Sequence, residues 1–186
     1  MKDIKVSSRY AKSLLDLAKE QNSVDAVYKD MIDVYQTCQS SKELVLLLKS
    51  PIVKSDKKKS ILKAVFGDKL SKTGVAFINI LISKKRESLL ESVAESFIAQ
   101  YKTLKNIQIA KVVSAVPLTN ELRDKVIALV KGAVKANEIE IEEKVDPEII
   151  GGLIVRVGDR QVDESIKRKI LDLEKAFSQN QYIKQY

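Results

Sequence analysis

Histidine and tryptophan are absent from this 186-residue sequence, and cysteine occurs only once. Without histidine, the chain lacks the most common general base and metal ligand of enzymes. A single cysteine cannot form an internal disulfide, and Cys38 falls on the apolar side of a predicted helix, where a small core residue is expected. The composition therefore argues against a metal centre and against histidine-dependent catalysis.

Long apolar runs are missing as well. The longest, VAFINILI at 75–82, is far shorter than the roughly 20 residues that a membrane-spanning helix requires. The N-terminal sequence MKDIKVSSRYAK has no apolar segment of the kind found in secretory signals. The protein is therefore expected to work in the compartment where it is made.

Positive charge is in excess, but only in the first half of the chain. The formal net charge is +8. Residues 1–105 contain 20 basic residues against 12 acidic ones, whereas residues 106–186 contain 13 of each. Seven lysines lie between Lys54 and Lys72. Such an asymmetry suggests two domains with different partners.

Apolar residues recur every three or four positions in the first half, which predicts an all-α bundle of six helices with short connections. Ser7 and Ser23 are the expected N-caps of the first two helices, and Gly67 is the expected end of the fourth. The segment VAFINILISKKR at 75–86 is apolar on nearly all sides, which predicts a helix at the centre of the bundle. Leu104 is expected on the buried side of the sixth helix.

The spacing changes from helical to alternating near Asn106. IQIAKVVSAVPL at 107–118 and EIEIEEKV at 138–145 are typical of strands, and the helical pattern between them predicts a βαβ unit with two parallel strands. Leu122 and Leu129 are expected on the buried side of that helix.

A hairpin and a closing helix are predicted after the βαβ unit. Two antiparallel strands are indicated by LIVRV and RQVD, which the turn dipeptide GD connects. ESIKRKILDLEKAF at 164–177 then predicts a helix capped by Asp163 or Ser165. The second half is therefore a small α+β domain with a mixed sheet, and the predicted domains are 1–105 and 106–186.

Three of the six glycines lie in one stretch, DPEIIGGLIVRVGDRQVDESI. Glycine beside a strand can indicate a phosphate-binding loop or a bend in the chain. A nucleotide-binding loop leads into a helix, whereas Gly151 and Gly152 lead into one predicted strand and Gly158 into the next. We interpret Gly151 and Gly152 as a bend, and Gly158 with Asp159 as the hairpin turn.

Other segments resemble catalytic motifs, but the secondary structure predicted around them does not suit catalysis. SDKK at 55–58 and KTG at 72–74 imitate parts of penicillin-binding enzymes, but S-D-N is missing and KTG lies at a predicted helix start, where that family has a strand. Glu142 and Glu143 are adjacent in a strand and so point to opposite faces. No catalytic residue, metal ligand or cofactor site is predicted.

Two features of the helical half leave alternatives open. The lysines at 54–72 fit a solvated helix face, a contact with an acidic protein or membrane head groups, or nucleic-acid binding, although no arginine lies between Arg9 and Arg86. The helix RYAKSLLDLA at 9–18 is apolar over a wide arc, which fits either an interior helix or a face that binds a partner helix.

Five segments in order carry a family resemblance. RYAKSLLDLA is similar to the family's first helix, LLLKSPIVKSDKKKSILKAVF to its L-x-x-P-x-I segment and following helix, and FINILISKKR to its F-x-N-x-L-x-x-x-x-R segment. VVSAVPLT at 112–119 and the block at 145–170 are similar to its most distinctive region. Together they resemble the delta-subunit family of bacterial and chloroplast F-type ATP synthases, whose mitochondrial equivalent is the oligomycin-sensitivity-conferring protein.

The resemblance implies a non-catalytic stator subunit that links the top of the catalytic head to the peripheral stalk, so that the head resists rotor torque during proton-driven ATP synthesis. It implies that domain 1–105 binds the N-terminal helix of an alpha subunit in a groove between its first and fifth helices. The residues in these positions are Tyr10, Ala11, Leu14, Leu15, Ala18, Ile78, Leu81 and Ile82. It also implies that domain 106–186 binds the b subunits of the stalk, with Ile166, Ile170 and Leu173 as candidate contacts.

The same resemblance implies one copy per complex, no cofactor and no nucleic acid. Association with the membrane is expected only through the complex, on the cytoplasmic face of the bacterial inner membrane or the stromal face of the thylakoid. A basic nucleic-acid-binding protein is the alternative function, because the excess charge is concentrated in one half.

Overall fold

Helices fill the first part of the chain. The structure is a computed structural model that describes residues 2–134 and 136–178. It divides into two compact units, Met1–Leu104 and Lys105–Tyr186. The helices that begin in the first unit are α1 (Lys2–Glu20), α2 (Val24–Ser40), α3 (Lys42–Lys49), α4 (Ser55–Phe66), α5 (Lys72–Ser83) and α6 (Leu90–Lys105).

Local sequence explains where several of these helices begin and end. The side chains of Ser41 and Ser71 accept hydrogen bonds from the amides of Leu44 (3.3 Å) and Gly74 (3.1 Å), so they cap α3 and α5. α4 ends at Gly67, whose φ of 47° lies in the left-handed region that favours glycine.

Three expectations for the helical half are wrong. Ser7 does not cap α1, because the helix already begins at Lys2 and Ser7 is buried within it. α5 is not covered on all sides, since Val75 and Ile80 are exposed. Leu104, near the end of α6, is exposed as well. Apolar spacing identified these helices, but it did not fix the first residue of α1 or the width of each buried face.

The core of the first unit draws on most of its helices. Large side chains that are almost completely buried come from α1, α2, α5 and α6, namely Leu14, Met31, Leu81, Leu90 and Phe97. One ion pair is also buried: the Lys58 ammonium lies 2.8 Å from the Glu87 carboxylate and donates a second hydrogen bond to the Leu48 carbonyl, also at 2.8 Å. The first unit therefore combines a continuous apolar core with a buried charged contact.

The second unit is built on a mixed sheet. Its elements are β1 (Ile107–Ser114), α7 (Asn120–Ala133), β2 (Glu138–Val145), β3 (Leu153–Val157), β4 (Arg160–Asp163) and α8 (Ile166–Ser178). The strand order is β2-β1-β3-β4, with β1 parallel to β2 and antiparallel to β3, which is antiparallel to β4. The predicted parallel βαβ unit and the hairpin are thus confirmed.

The core of this unit is thin. Ala110 and Val112 of β1 pack with Val126 and Val130 of α7. Leu122 and Leu129 were expected on the same face of α7 but are exposed, so that expectation is wrong. The last part of the predicted second domain, residues 179–186, lies outside the described residues.

Candidate partner-binding surfaces

Most residues predicted to line the groove between α1 and α5 are core residues of the free chain. Tyr10 is half-buried. The other seven are at most 6% exposed: Ala11, Leu14, Leu15, Ala18, Ile78, Leu81 and Ile82. They can therefore form the floor beneath a binding surface, while contact with a partner has to begin at more exposed neighbours.

Exposed apolar neighbours are present on both helices. Leu17 of α1 is 38% exposed and Ile80 of α5 is 48% exposed. The Thr73 hydroxyl donates a 2.8 Å hydrogen bond to the Gln21 side-chain oxygen, which joins the end of α1 to the first turn of α5. Leu17 lies one turn before Gln21, and Ile80 lies two turns after Thr73, so both lie on the sides that this hydrogen bond brings together. Sequence spacing alone did not single out Ile80, because every side of α5 looked apolar.

A concavity lies between α4 and α5. It has a volume of about 550 Å³ and an apolar floor that includes Leu62, Phe66 and Ile78. Lys59, Lys63 and Lys72, three members of the predicted lysine cluster, lie at its edge. A fourth member, Lys58, is instead buried against Glu87 and is not available to an external partner.

The α8 surface differs from the groove because none of its described residues is buried. Ile166, Ile170 and Leu173, the residues predicted to bind the b subunits, are between 44% and 58% exposed. They recur at intervals of four and three residues and so form one stripe, which Phe177 extends. The free chain thus leaves an apolar helix face uncovered.

Hydrogen bonds at its N-terminus hold α8 in place. The Ser165 side chain accepts a hydrogen bond from the Arg168 amide at 3.2 Å, and the Ser165 amide donates to the Asp163 carboxylate at 3.0 Å. The hydrogen bonds from Ser165 lower the pKa of Asp163. Both residues named as possible caps therefore contribute, with Ser165 as the N-cap of the helix.

The glycine-rich stretch positions the same helix. The Gly151 carbonyl accepts a 3.0 Å hydrogen bond from the Ile166 amide. Gly152 has a φ of 79°, and a Cβ there would collide with the backbone carbonyl of Glu164. Gly158, with a φ of 55°, and Asp159 connect β3 to β4. These glycines therefore serve chain geometry.

The single cysteine, Cys38, is buried in the helical unit. Burial raises the pKa of Cys38 to about 11, so its thiol is protonated at neutral pH. Within residues 2–134 and 136–178, no group of three or more His, Cys, Asp or Glu side chains could hold a metal ion. Over the same residues, no helix is long and apolar enough to span a membrane.

A helical unit and a small α+β unit, each with apolar side chains exposed on a helix, are typical of a subunit that binds other proteins. The family described as ATP synthase delta (OSCP) subunit matches residues 6–177. The chain belongs to this family, whose members are non-catalytic subunits of the ATP synthase.

Sequence relatives agree with this membership, and a solved structure agrees with the fold. An ATP synthase subunit delta of Christiangramia forsetii is 37% identical and covers 98% of both chains. One from Cytophaga hutchinsonii is 35% identical over 96% of this chain and 97% of its own. A chain in the mitochondrial ATP synthase hexamer of Toxoplasma gondii has a TM-score of 0.68 at 22% identity, covering 92% of this chain and 97% of that one, which supports the fold.

Proposed function

We propose that this chain is the stator subunit that joins the catalytic head of a rotary ATP synthase to its peripheral stalk, with each of its two units serving as a domain that binds one side. The observation that carries this proposal is the family match from residue 6 to residue 177, which spans both units. A stator link needs affinity and stiffness, and it needs no acid, base or cofactor. Burial of apolar helix faces supplies both requirements.

The first surface is the groove between α1 and α5, and its partner is the N-terminal helix of an alpha subunit. Leu17, Tyr10 and Ile80 offer apolar area at the edges of the groove, and the buried residues beneath them form a rigid floor. An amphipathic partner helix would cover these edges with side chains spaced three and four residues apart. The partner would therefore bind a preformed surface rather than order a flexible one.

The second surface is the apolar stripe of α8, and its partners are the C-terminal ends of the b subunits. Ile166, Ile170 and Leu173 are exposed in the free chain, and an exposed apolar helix face marks a protein-binding site. One copy of the chain per complex, bound at the cytoplasmic or stromal face, would associate with the membrane only through these partners.

The alternative function, nucleic-acid binding, receives no support. The lysine cluster that motivated it loses Lys58 to a buried ion pair, and three other members border an apolar cavity rather than a continuous basic face. The family match points to an assembly of proteins instead.

The test is a binding measurement on the full chain with each partner separately. Titration calorimetry with a synthetic peptide of the alpha-subunit N-terminal helix should detect binding, and Ile80→Asp should weaken it at least about tenfold, a loss of about 1.4 kcal/mol. Binding of a C-terminal fragment of the b subunit should be unchanged in that variant and lost in Leu173→Asp. Absence of both interactions in the wild-type chain would overturn the proposed function.

A further inference from the structure

A buried carboxylate of α2 contacts the start of α5. Asp30 is 5% exposed, and its two carboxylate oxygens each lie 3.1 Å from the Ser71 amide nitrogen. The Ser71 hydroxyl also donates to the Asp30 carboxylate. No basic side chain among the described residues forms an ion pair with Asp30, so its charge is satisfied by these hydrogen bonds and by the positive end of the α5 dipole.

The contact continues into the first turn of α5. The Ser71 hydroxyl accepts a hydrogen bond from the Gly74 amide at 3.1 Å while it donates to Asp30. Gly74 lacks the side chain that would prevent this approach, since a Cβ there would lie 2.5 Å from the Asp30 carboxylate. Asp30, Ser71 and Gly74 therefore form one link that fixes the N-terminus of α5 against α2.

This link exceeds what capping alone requires. Ser71 by itself satisfies the Gly74 amide, which is the ordinary role of an N-cap serine. A buried carboxylate carries a desolvation cost, so its presence calls for a gain in positional specificity rather than in stability alone. What Asp30 adds is a fixed distance between α2 and the first turn of α5.

The first turn of α5 also meets the end of α1, through the hydrogen bond from Thr73 to Gln21. A helix moves as a rigid rod over short distances, so a shift at Ser71 would carry Ile80 with it and change the separation of the groove edges. We propose that Asp30 is a positioning residue for the α1–α5 groove: it holds α5 at the spacing that accepts the partner helix without touching that helix itself. This inference rests on the proposed function, because it concerns the same groove.

The test compares two variants on the same helix. Asp30→Asn keeps the shape of the side chain but removes the charge and one acceptor oxygen. Val34→Ala removes buried apolar volume one turn further along α2, where Val34 is fully buried, and serves as the control for a general loss of stability. Calorimetry with the alpha-subunit N-terminal peptide is carried out on the full chain, well below the midpoint of thermal unfolding of each variant.

We expect Asp30→Asn to weaken peptide binding about tenfold and Val34→Ala to change it less than about twofold, even where both lower the unfolding midpoint by a similar amount. Amide hydrogen exchange at Gly74 and Val75 should become faster in Asp30→Asn only. Ser71→Ala should show an intermediate loss of affinity, and Ser71→Thr, which retains the hydroxyl, should restore it. The serine pair also provides the test if Asp30→Asn does not fold.

The outcomes separate the inference from the function on which it rests. Wild-type affinity in both Asp30→Asn and Ser71→Ala would overturn the positioning role and leave the groove intact. An equal loss of affinity in Val34→Ala would overturn it too, because any destabilisation would then have the same effect. Failure of the wild-type chain to bind the peptide would instead overturn the groove assignment itself.

Discussion

The two units of this chain, each of which is proposed to bind a partner, differ in how much apolar surface they bury. The first unit buries large side chains such as Phe97 and Met31 completely and also contains an ion pair shielded from solvent. The second has a core of four buried side chains from β1 and α7, against which partly buried apolar side chains of β2 and β3 pack, and its last helix, α8, buries none of its described residues. Each unit is nevertheless compact by itself.

This difference determines which apolar surface each unit can offer to a partner. In the first unit the helices have already covered most of their apolar surface with one another, so a partner at the proposed groove would meet a buried floor and a few exposed edges, such as Leu17 and Ile80. In the second unit a whole stripe of α8 remains uncovered. The first surface should therefore depend on the exact spacing of its helices, and the second on the apolar side chains themselves.

The largest effect on stability is expected in the first unit, at the buried ion pair of Lys58 and Glu87. Lys58→Met should destabilise that unit by about 3–5 kcal/mol, because it leaves the Glu87 carboxylate buried without its cation. One oxygen of that carboxylate already has no hydrogen-bond partner among the described residues. Denaturation by urea, followed by circular dichroism and by hydrogen exchange in each unit, measures the change.

The matched control is the double variant Lys58→Met with Glu87→Leu, which should recover most of the lost stability. If Lys58→Met lowered the free energy of unfolding of the second unit as much as that of the first, the two units would not be stabilised independently, and the contrast drawn between them would be wrong.

In the second unit, the most sensitive position is Gly152. Gly152→Ala should cost about 3 kcal/mol, because alanine would have to adopt a positive φ and its Cβ would collide with the Glu164 carbonyl. Gly132→Ala is the control within the same unit: a Cβ there meets nothing within 4 Å, and in helix α7 the change should stabilise by about 0.5–1 kcal/mol. Thermal unfolding of both variants measures the difference, and equal midpoints would contradict the account of the bend.

The hairpin turn should be less sensitive. Gly158→Val should cost about 1–2 kcal/mol, because a β-branched residue disfavours the positive φ even though a Cβ there has free space. We expect weaker binding of the b-subunit fragment in this variant, and Gly158→Asn should retain most of the stability because asparagine tolerates the left-handed region. A valine variant as stable as wild type would show that the turn can relax without its glycine.

Sequence reasoning was sufficient for elements whose signal is local. The change of spacing near Asn106, the β-branched strands and the glycine–aspartate turn predicted the parallel pair and the hairpin. It was not sufficient for features that depend on which neighbour covers a side chain. Helical spacing predicts that apolar residues such as Ile80 and Leu129 are buried, and only the packed structure shows that they are exposed.

The role of Asp30 shows the same limit more clearly. Its partner, Ser71, is 41 residues away, and nothing in the spacing of either segment joins them. Likewise, the resemblance names eight residues for the proposed groove, and only the packed structure shows that seven of them are at most 6% exposed.

The smallest effect on stability, with a large effect on binding, is expected on α8. Leu173→Asp should change the free energy of unfolding by no more than about 0.5 kcal/mol, because the side chain is 58% exposed in the free chain. It should abolish binding of the b-subunit fragment, since a carboxylate in the centre of the stripe would be buried without a partner in the complex. Leu171→Asp is the matched control, because Leu171 is also exposed but lies off the stripe formed by Ile166, Ile170 and Leu173. Equal loss of binding in both variants would show that the whole circumference of α8 is covered in the complex. A strong loss of stability in either variant would show that α8 stabilises the second unit even without a partner.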